Sequence, residues 1–214
     1  MKKKINLFLI KKRWFVLVLV ALLGSYVYGT FNPNSYTLKD IVEIEHQKSV
    51  KKMNDLGLIE PTFEYTDSET FIQSVEKCID YVNFVTEMDK RIPSGLIIAM
   101  AGVESAWGTS RFAIKGNNLF GIRTWDPKSP QLKPLDLPDA RFGVKVYKTK
   151  CDSVRDVVRI LNNHPAYSDF RSERDTQYNE KYRDWDTLVP LVALWSTNEA
   201  YGDIILSTIK KIGF

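Results

Sequence analysis

The chain carries three hydrophobic textures in succession. The first is unbroken: every position from Trp14 to Leu23 is apolar, and residues 1–28 hold six cations and no acid. A basic start followed by an apolar run is the pattern of an export signal. The run to Tyr28 is short against the roughly 20 residues of a bilayer span, and residues 24–29 offer no convincing small-x-small cleavage site. Residues 1–28 are therefore read as a signal anchor or signal peptide. The body is placed outside the cytoplasm, because Lys/Arg clusters stay inside.

The second texture repeats about every 3.6 residues. Leu38, Ile41, Val42, Ile44, Met53 and Leu56, set among charges, predict a helix over 38–56 stopped by Gly57. It comes after a linker rich in Asn, Ser and Pro at 30–36. Phe71, Ile72, Val75, Ile79, Val82 and Val85 predict a helix from Ser68 to about Asp89. Arg91-Ile92-Pro93-Ser94 opens a third, with proline in its first turn. Leu96 to Ala101 carry no charge, so this helix belongs in the core. Gly108 is its expected end, with a short helical turn through Ala113. Val154, Val157, Val158 and Leu161 predict a helix over 153–162, and 188–195 and 200–212 are also helical in pattern.

The third texture has period two. Phe142, Val144 and Val146 alternate with Arg141, Gly143 and Lys145, which predicts a strand over 141–147, with a companion at 119–124. Between them Pro127, Pro130, Pro134 and Pro138 exclude a regular helix and make an irregular lobe. There are no internal repeats. The resulting fold class is α+β, mostly α, with a small β-hairpin lobe after an N-terminal membrane segment.

Composition narrows the function. At 214 residues with 44% apolar and 26% charged positions, the chain suits one ordinary domain with an appendage. The net charge of +4 misleads. Residues 1–28 take six of the 30 cations, which leaves 24 cations against 26 acids, or −2, for the rest. A mildly acidic body has no electrostatic footprint for nucleic acid. Cys78 and Cys151 either pair in an oxidising compartment or stay as buried thiols. With only His46 and His164 beside them no zinc spacing exists, so neither metal nor cofactor is expected.

Chemistry concentrates at Glu104, a lone carboxylate closing an apolar segment. Partial removal from water raises the pKa of such a group. A carboxyl still protonated near neutral pH can protonate a leaving-group oxygen. Downstream, Gly116-Asn117-Asn118-Leu119-Phe120-Gly121-Ile122 suits a tight turn. His164-Pro165 is expected only to end a helix, and Arg171, Arg174 and Arg183 to form a mostly solvated face that could touch peptide carboxylates.

Glu104-Ser105-Ala106-Trp107-Gly108-Thr109-Ser110 together with the later Asn-Asn-Leu-Phe-Gly-Ile motif resembles the bacterial endo-β-N-acetylglucosaminidase family. That family includes the wall-cutting domain of flagellar rod-cap proteins and the Bax-type proteins. Further agreement lies in Tyr147, Ser153-Val154, 161–167 and Trp195 to Tyr201, and Phe170-Arg171 is most similar to the Bax-type branch. The resemblance covers Ile92 to Phe214. It implies a lysozyme-like fold. Together with the patterns above, the domain layout is 1–28 signal anchor or signal peptide, 29–66 linker and N-terminal helix, and 67–214 catalytic domain. The resemblance implies hydrolysis of peptidoglycan glycan strands between N-acetylglucosamine and N-acetylmuramic acid, in the cell envelope. The body would be periplasmic and tethered to the inner membrane, or secreted if the signal is cleaved.

In that resemblance Glu104 is the catalytic acid. Trp107, Asn117, Asn118, Phe120, Tyr147, Trp195 and Tyr201 support or contact the sugar, although Trp107 also suits the core. Two departures stand out. No Glu occurs between Glu104 and Glu173, so Asp136 and Asp139 are the candidates for a second acid, with the substrate's N-acetyl oxygen as the alternative. Trp195 replaces a more usual Tyr. Competing functions are a lytic transglycosylase and a non-catalytic wall-binding or scaffold protein.

Overall fold

The computed structural model describes residues 7–31, 44, 47–48, 51–52 and 55–214. The chain divides into two units, 1–57 and 58–214. In the first, helix α1 spans Leu7–Phe31. No helix among the described residues is long and apolar enough to cross a membrane, which leaves the N-terminal membrane segment an expectation. Lys11, Lys12 and Arg13 fall inside α1. Thr30 and Phe31 close α1 where a linker was expected, and residues 32–36 lie outside the described residues. Of the predicted 38–56 helix, Ile44, Gln47, Lys48, Lys51, Lys52 and Asp55 are helical. Residues 38–43, 45–46, 49–50 and 53–54 lie outside the described residues.

The second unit is built around an apolar helix. Helix α3, Ser94–Ser105, is buried continuously from Gly95 to Gly102. Helix α2, Ser68–Asn83, packs on it through Phe71, Val75, Cys78, Ile79 and Val82. Asp67 caps α2 by accepting from the Thr70 N–H while the Thr70 hydroxyl reaches back to the Asp67 N–H, a reciprocal capping box. The helix stops six residues short of the predicted end. Side chains take the carbonyls that continuation would use: Thr86 Oγ1 donates to Val82 O, and Arg91 donates to Asn83 O and Thr86 O.

Helix α4 is Arg111–Gly116, α5 is Lys150–Asn163, α6 is Ser168–Glu180, α7 is Trp185–Leu188 and α8 is Tyr201–Lys211. The predicted 188–195 helix is instead a 3-10 stretch, Val189–Trp195, with Pro190 near its start. Helix α5 begins a turn earlier than expected because Thr149 caps it, its Oγ1 accepting from Asp152 N–H. Cys78 of α2 and Cys151 of α5 form a disulfide, which settles the open pairing.

Helix α6 was not anticipated. Only Phe170, Arg174 and Gln177 of it are buried, so its apolar signal is faint. Arg174 is a correction to the solvated arginine face: it is 4% exposed and donates to Asp175 and Asn162. Gln177 is a buried polar hub that donates to Glu173, Asp184 O and Thr187 and accepts from Arg183 and Asp184 N.

The lobe holds three very short strands rather than two longer ones: β1 Arg123–Thr124, β2 Gln131–Leu132 and β3 Gly143–Lys145, in the order β1-β3-β2 and antiparallel. The predicted strand start at Leu119 fails because the Asn118 side chain takes the Phe120 and Ile122 N–H groups that a ladder would need. Cross-ties hold the lobe: Arg111 donates to Lys133 O, and Lys133 donates to Ala140 O and Phe142 O.

Candidate active site

Glu104 sits one residue before the end of α3, half-buried at the end of a helix that has no other charge. The chain then turns sharply. Ala106 and Trp107 both take left-handed backbone, at φ 49 and 56, and Gly108 comes next at 84. Left-handed conformation at two non-glycine residues costs energy and persists only where surroundings enforce it. Three contacts enforce it here. Ser105 Oγ donates to Ala101 O and accepts from Gly108 N–H. Trp107 N–H donates to Gly102 O, and its ring lies on Gly102 so closely that a Cβ there would come within 2.8 Å of it. Tyr65 donates its hydroxyl to Gly108 O, and a Cβ on Gly108 would meet the Tyr65 ring at 2.6 Å. The Glu-Ser-Ala-Trp-Gly sequence is therefore a device for stopping α3 three residues before the predicted Gly108 and holding Glu104 at the break.

Three groups bear on the Glu104 carboxyl. Gly121, at φ 64, presents its bare Cα, and a Cβ there would lie 3.6 Å from Glu104 Oε2. Tyr201, at the start of α8 and 2% exposed, has a buried hydroxyl that meets no partner at full hydrogen-bond geometry and faces the Glu104 carboxyl. Arg123, on β1, is exposed and acts through its charge. Burial pushes the Glu104 carboxyl above its usual range; the Tyr201 hydroxyl and the Arg123 charge oppose this without cancelling it. Burial and the nearby carboxylate push the Tyr201 phenol up, so it remains a proton-bearing donor.

The other residues singled out from sequence are mostly occupied by the scaffold. Asn118 is 1% exposed: its Nδ2 donates to Ile122 O and Lys145 O, and its Oδ1 accepts from Phe120 and Ile122 N–H. All its bonding capacity is spent on backbone, which leaves none for a sugar. Asn117, in left-handed conformation at φ 51, donates to Tyr147 O and Lys148 O. Phe120 is 1% exposed and Trp107 packs on Phe71 in the core. Tyr147 donates to Asp156 of α5 at 2.6 Å. All five are tied into the scaffold around the site.

Trp195, in place of the more usual Tyr, has a polar role. Its Nε1 donates to Phe120 O at 3.2 Å, pinning the turn that carries Gly121. Asp136 and Asp139 are exposed on the lobe and are not among the groups acting on Glu104. His164 ends α5, and its Nδ1 accepts from Ala166 N–H. Two surface concavities of about 400 Å³ lie elsewhere, one around Arg183 and Trp185, the other around Phe63 and Lys150; neither is lined by Glu104. Among the described residues no group of three or more His, Cys, Asp or Glu could hold a metal.

Sequence reasoning missed Arg123 and Tyr65. A cation two residues after Gly121 was the available signal for the first. Tyr65 had none, because its contact with Gly108 spans 43 residues.

Comparison with known proteins agrees with this architecture. A stretch of 92 residues is 36% identical to protein Bax of Escherichia coli strain K12, covering 43% of this chain and 32% of that protein. The chain thus spans about a third of the length of that relative. The catalytic domain of the autolysin Auto from Listeria monocytogenes has the same fold, with a TM-score of 0.51, 20% identity, and coverage of 75% of this chain and 92% of that one. Residues 82–214 match the glucosaminidase family, described as mannosyl-glycoprotein endo-β-N-acetylglucosaminidase, and the chain belongs to that family.

Proposed function

We propose that this protein is a peptidoglycan hydrolase that cleaves the β-1,4 bond between N-acetylglucosamine and N-acetylmuramic acid, with Glu104 as the general acid. The observation that carries this reading is a half-buried carboxyl of raised pKa, held at a helix break beside a buried phenol. Family membership and the autolysin fold support it.

Glu104 donates its proton to the glycosidic oxygen as the C1–O bond breaks. The scheme then needs an electron pair for C1. A second protein carboxylate 5–9.5 Å away is the common source. Asp136 and Asp139, exposed on the lobe, are not among the groups acting on Glu104. The substrate's acetamido oxygen is the better candidate: it attacks C1 as the leaving group departs. Water then opens the cyclic intermediate and returns a proton to Glu104. Tyr201 steadies Glu104 while it is ionised, its hydrogen bond tightening with substrate in place.

An oxidising, extracytoplasmic location fits the substrate and is supported by the Cys78–Cys151 disulfide. The basic, apolar residues 1–28 are the basis for reading an export signal that delivers the body to the envelope, tethered or released.

Digestion of purified wall with mass analysis of the fragments tests the proposal. The expected products carry reducing-end N-acetylglucosamine, and Glu104→Gln loses at least about 10²-fold in rate. Anhydromuramic ends would identify a transglycosylase instead. Binding without fragment release would identify a wall-binding protein, and undiminished cleavage by Glu104→Gln would remove Glu104 from the mechanism.

A further inference from the structure

The lobe carries an aromatic and cationic group of which only the Arg123 charge acts on Glu104. Trp125 is 67% exposed, a costly state for the largest apolar side chain. Its ring packs against Phe142 at 6.2 Å between centroids. The Arg123 guanidinium lies over the same Phe142 ring, 4.4 Å from its centroid. Arg123 and Trp125 are two residues apart along β1 and its extension, and so share a side of the strand. Continuing the β1–β3 register one step past Thr124 and Gly143 sets Trp125 opposite Phe142. The three side chains form one platform, with Phe142 as the shared support.

Two observations give the platform a ligand chemistry. Arg123 makes no ion pair among the described residues, although it is held in place by stacking. A pre-oriented guanidinium with free donors matches a carboxylate with two parallel hydrogen bonds. The platform is also continuous with the catalytic position: Arg123 is two residues from Gly121, whose Cα abuts the Glu104 carboxyl. Trp125 lies four residues from Gly121 along the same segment, roughly 13 Å at the rise of a strand.

We propose that Trp125, Phe142 and Arg123 form a sugar subsite beside Glu104, in which Trp125 stacks on a pyranose face and Arg123 binds a carboxylate borne by that sugar. The inference rests on the glycan-hydrolase reading and names its substrate more narrowly: an anionic amino sugar in preference to a neutral one. The carboxylate belongs either to a muramic lactyl group stripped of peptide or to the attached stem peptide.

The test is calorimetric titration of the full-length Glu104→Gln protein, which leaves the ligand intact. Three ligands are compared: a neutral N-acetylglucosamine oligomer, wall glycan stripped of peptide, and wall glycan with stem peptides. Adding Arg123→Gln is expected to weaken at least one anionic ligand about tenfold and the neutral oligomer less than twofold. Adding Trp125→Ala is expected to weaken all three. Arg123→Lys should recover only part of the loss, since it keeps the charge and loses the planar fork. Loss on the stripped glycan assigns the carboxylate to the lactyl group; loss confined to the peptide-bearing glycan assigns it to the peptide. Equal loss on neutral and anionic ligands, no loss with Arg123→Gln, or intact binding in Trp125→Ala each overturns the subsite. Because binding is read without turnover, a failure of Glu104 as the acid would show in the digestion experiment and leave this one readable.

Discussion

At the scale of single residues, the site separates groups that face Glu104 from groups that hold it. Tyr201 is of the first kind. Its hydroxyl favours the ionised carboxyl, so Tyr201→Phe should raise the Glu104 pKa further. Activity that needs protonated Glu104 falls as pH rises through that pKa. The alkaline limb of kcat/KM in Tyr201→Phe should therefore move to higher pH, which a pH–rate profile reads directly. A limb that stays in place or moves to lower pH would remove Tyr201 from the ionisation of Glu104. Asn118 is of the second kind. Asn118→Ala leaves two N–H groups and two carbonyls without their side-chain partner. The expected cost is about 3–5 kcal/mol at roughly 1–3 kcal/mol per orphaned group, since such losses are not additive. Thermal unfolding should drop by about 10 °C. A variant with unchanged Tm and weakened glycan binding would return Asn118 to the role the sequence suggested.

At the scale of elements, one tie joins two helices and another joins the lobe to a helix. Cys78 and Cys151 bind α2 to α5 across 73 residues of chain. Closing a loop of that length removes about 4 kcal/mol of unfolded-state entropy in the chain-entropy treatment. Reduction, or Cys78→Ser with Cys151→Ser, should lower Tm by about 10 °C, measurable by calorimetry with and without reductant. The second tie is Asp156 on α5. It is 9% exposed and accepts from Lys145 Nζ at 2.8 Å, Tyr147 Oη at 2.6 Å and Arg159 Nε at 2.7 Å. Burial pushes the Asp156 carboxyl up, but Arg159, Lys145 and Tyr147 together hold it below the usual carboxylate range. A lowered native pKa means the stabilisation is present above the unfolded value and lost as pH falls through the native one. Asp156→Asn should cost about 2–3 kcal/mol near neutral pH and progressively less in acid, seen as urea midpoints converging with wild type. Equal destabilisation at all pH values would mean the tie is not electrostatic.

At the scale of the whole molecule, the packed body begins before the first helix that the resemblance covers. Phe63 and Tyr65 pack on the core, Ser74 donates to Glu64 O at 2.7 Å, and the Tyr65 hydroxyl reaches Gly108 just beyond Glu104. A chain starting at residue 58 should match the full-length Tm, whereas one starting at residue 67 should unfold several degrees lower and cleave wall more slowly. Equal stability of the two would make residues 58–66 a linker after all. Their importance was invisible in sequence because Leu58, Ile59, Phe63 and Tyr65 fall at no regular spacing.

The sequence by itself determined the helices whose faces are apolar at regular spacing, and the apolar helix whose single charge is Glu104, because burial of a stripe or a whole cylinder must be written into composition. It also determined the local motif chemistry: a short helix end, a pair of turn asparagines, a proline-broken lobe. What tertiary structure decided lies between segments. Helix α6, held by a buried Arg and Gln, has too few apolar positions to be read from its pattern. The Asn pair proved to be mortar, because only folding shows that the carbonyls of 122 and 145 come within reach of Asn118. The surroundings of Glu104 come from residues 17, 19 and 97 positions away, Gly121, Arg123 and Tyr201, and contact at such separations leaves no periodic trace in the chain.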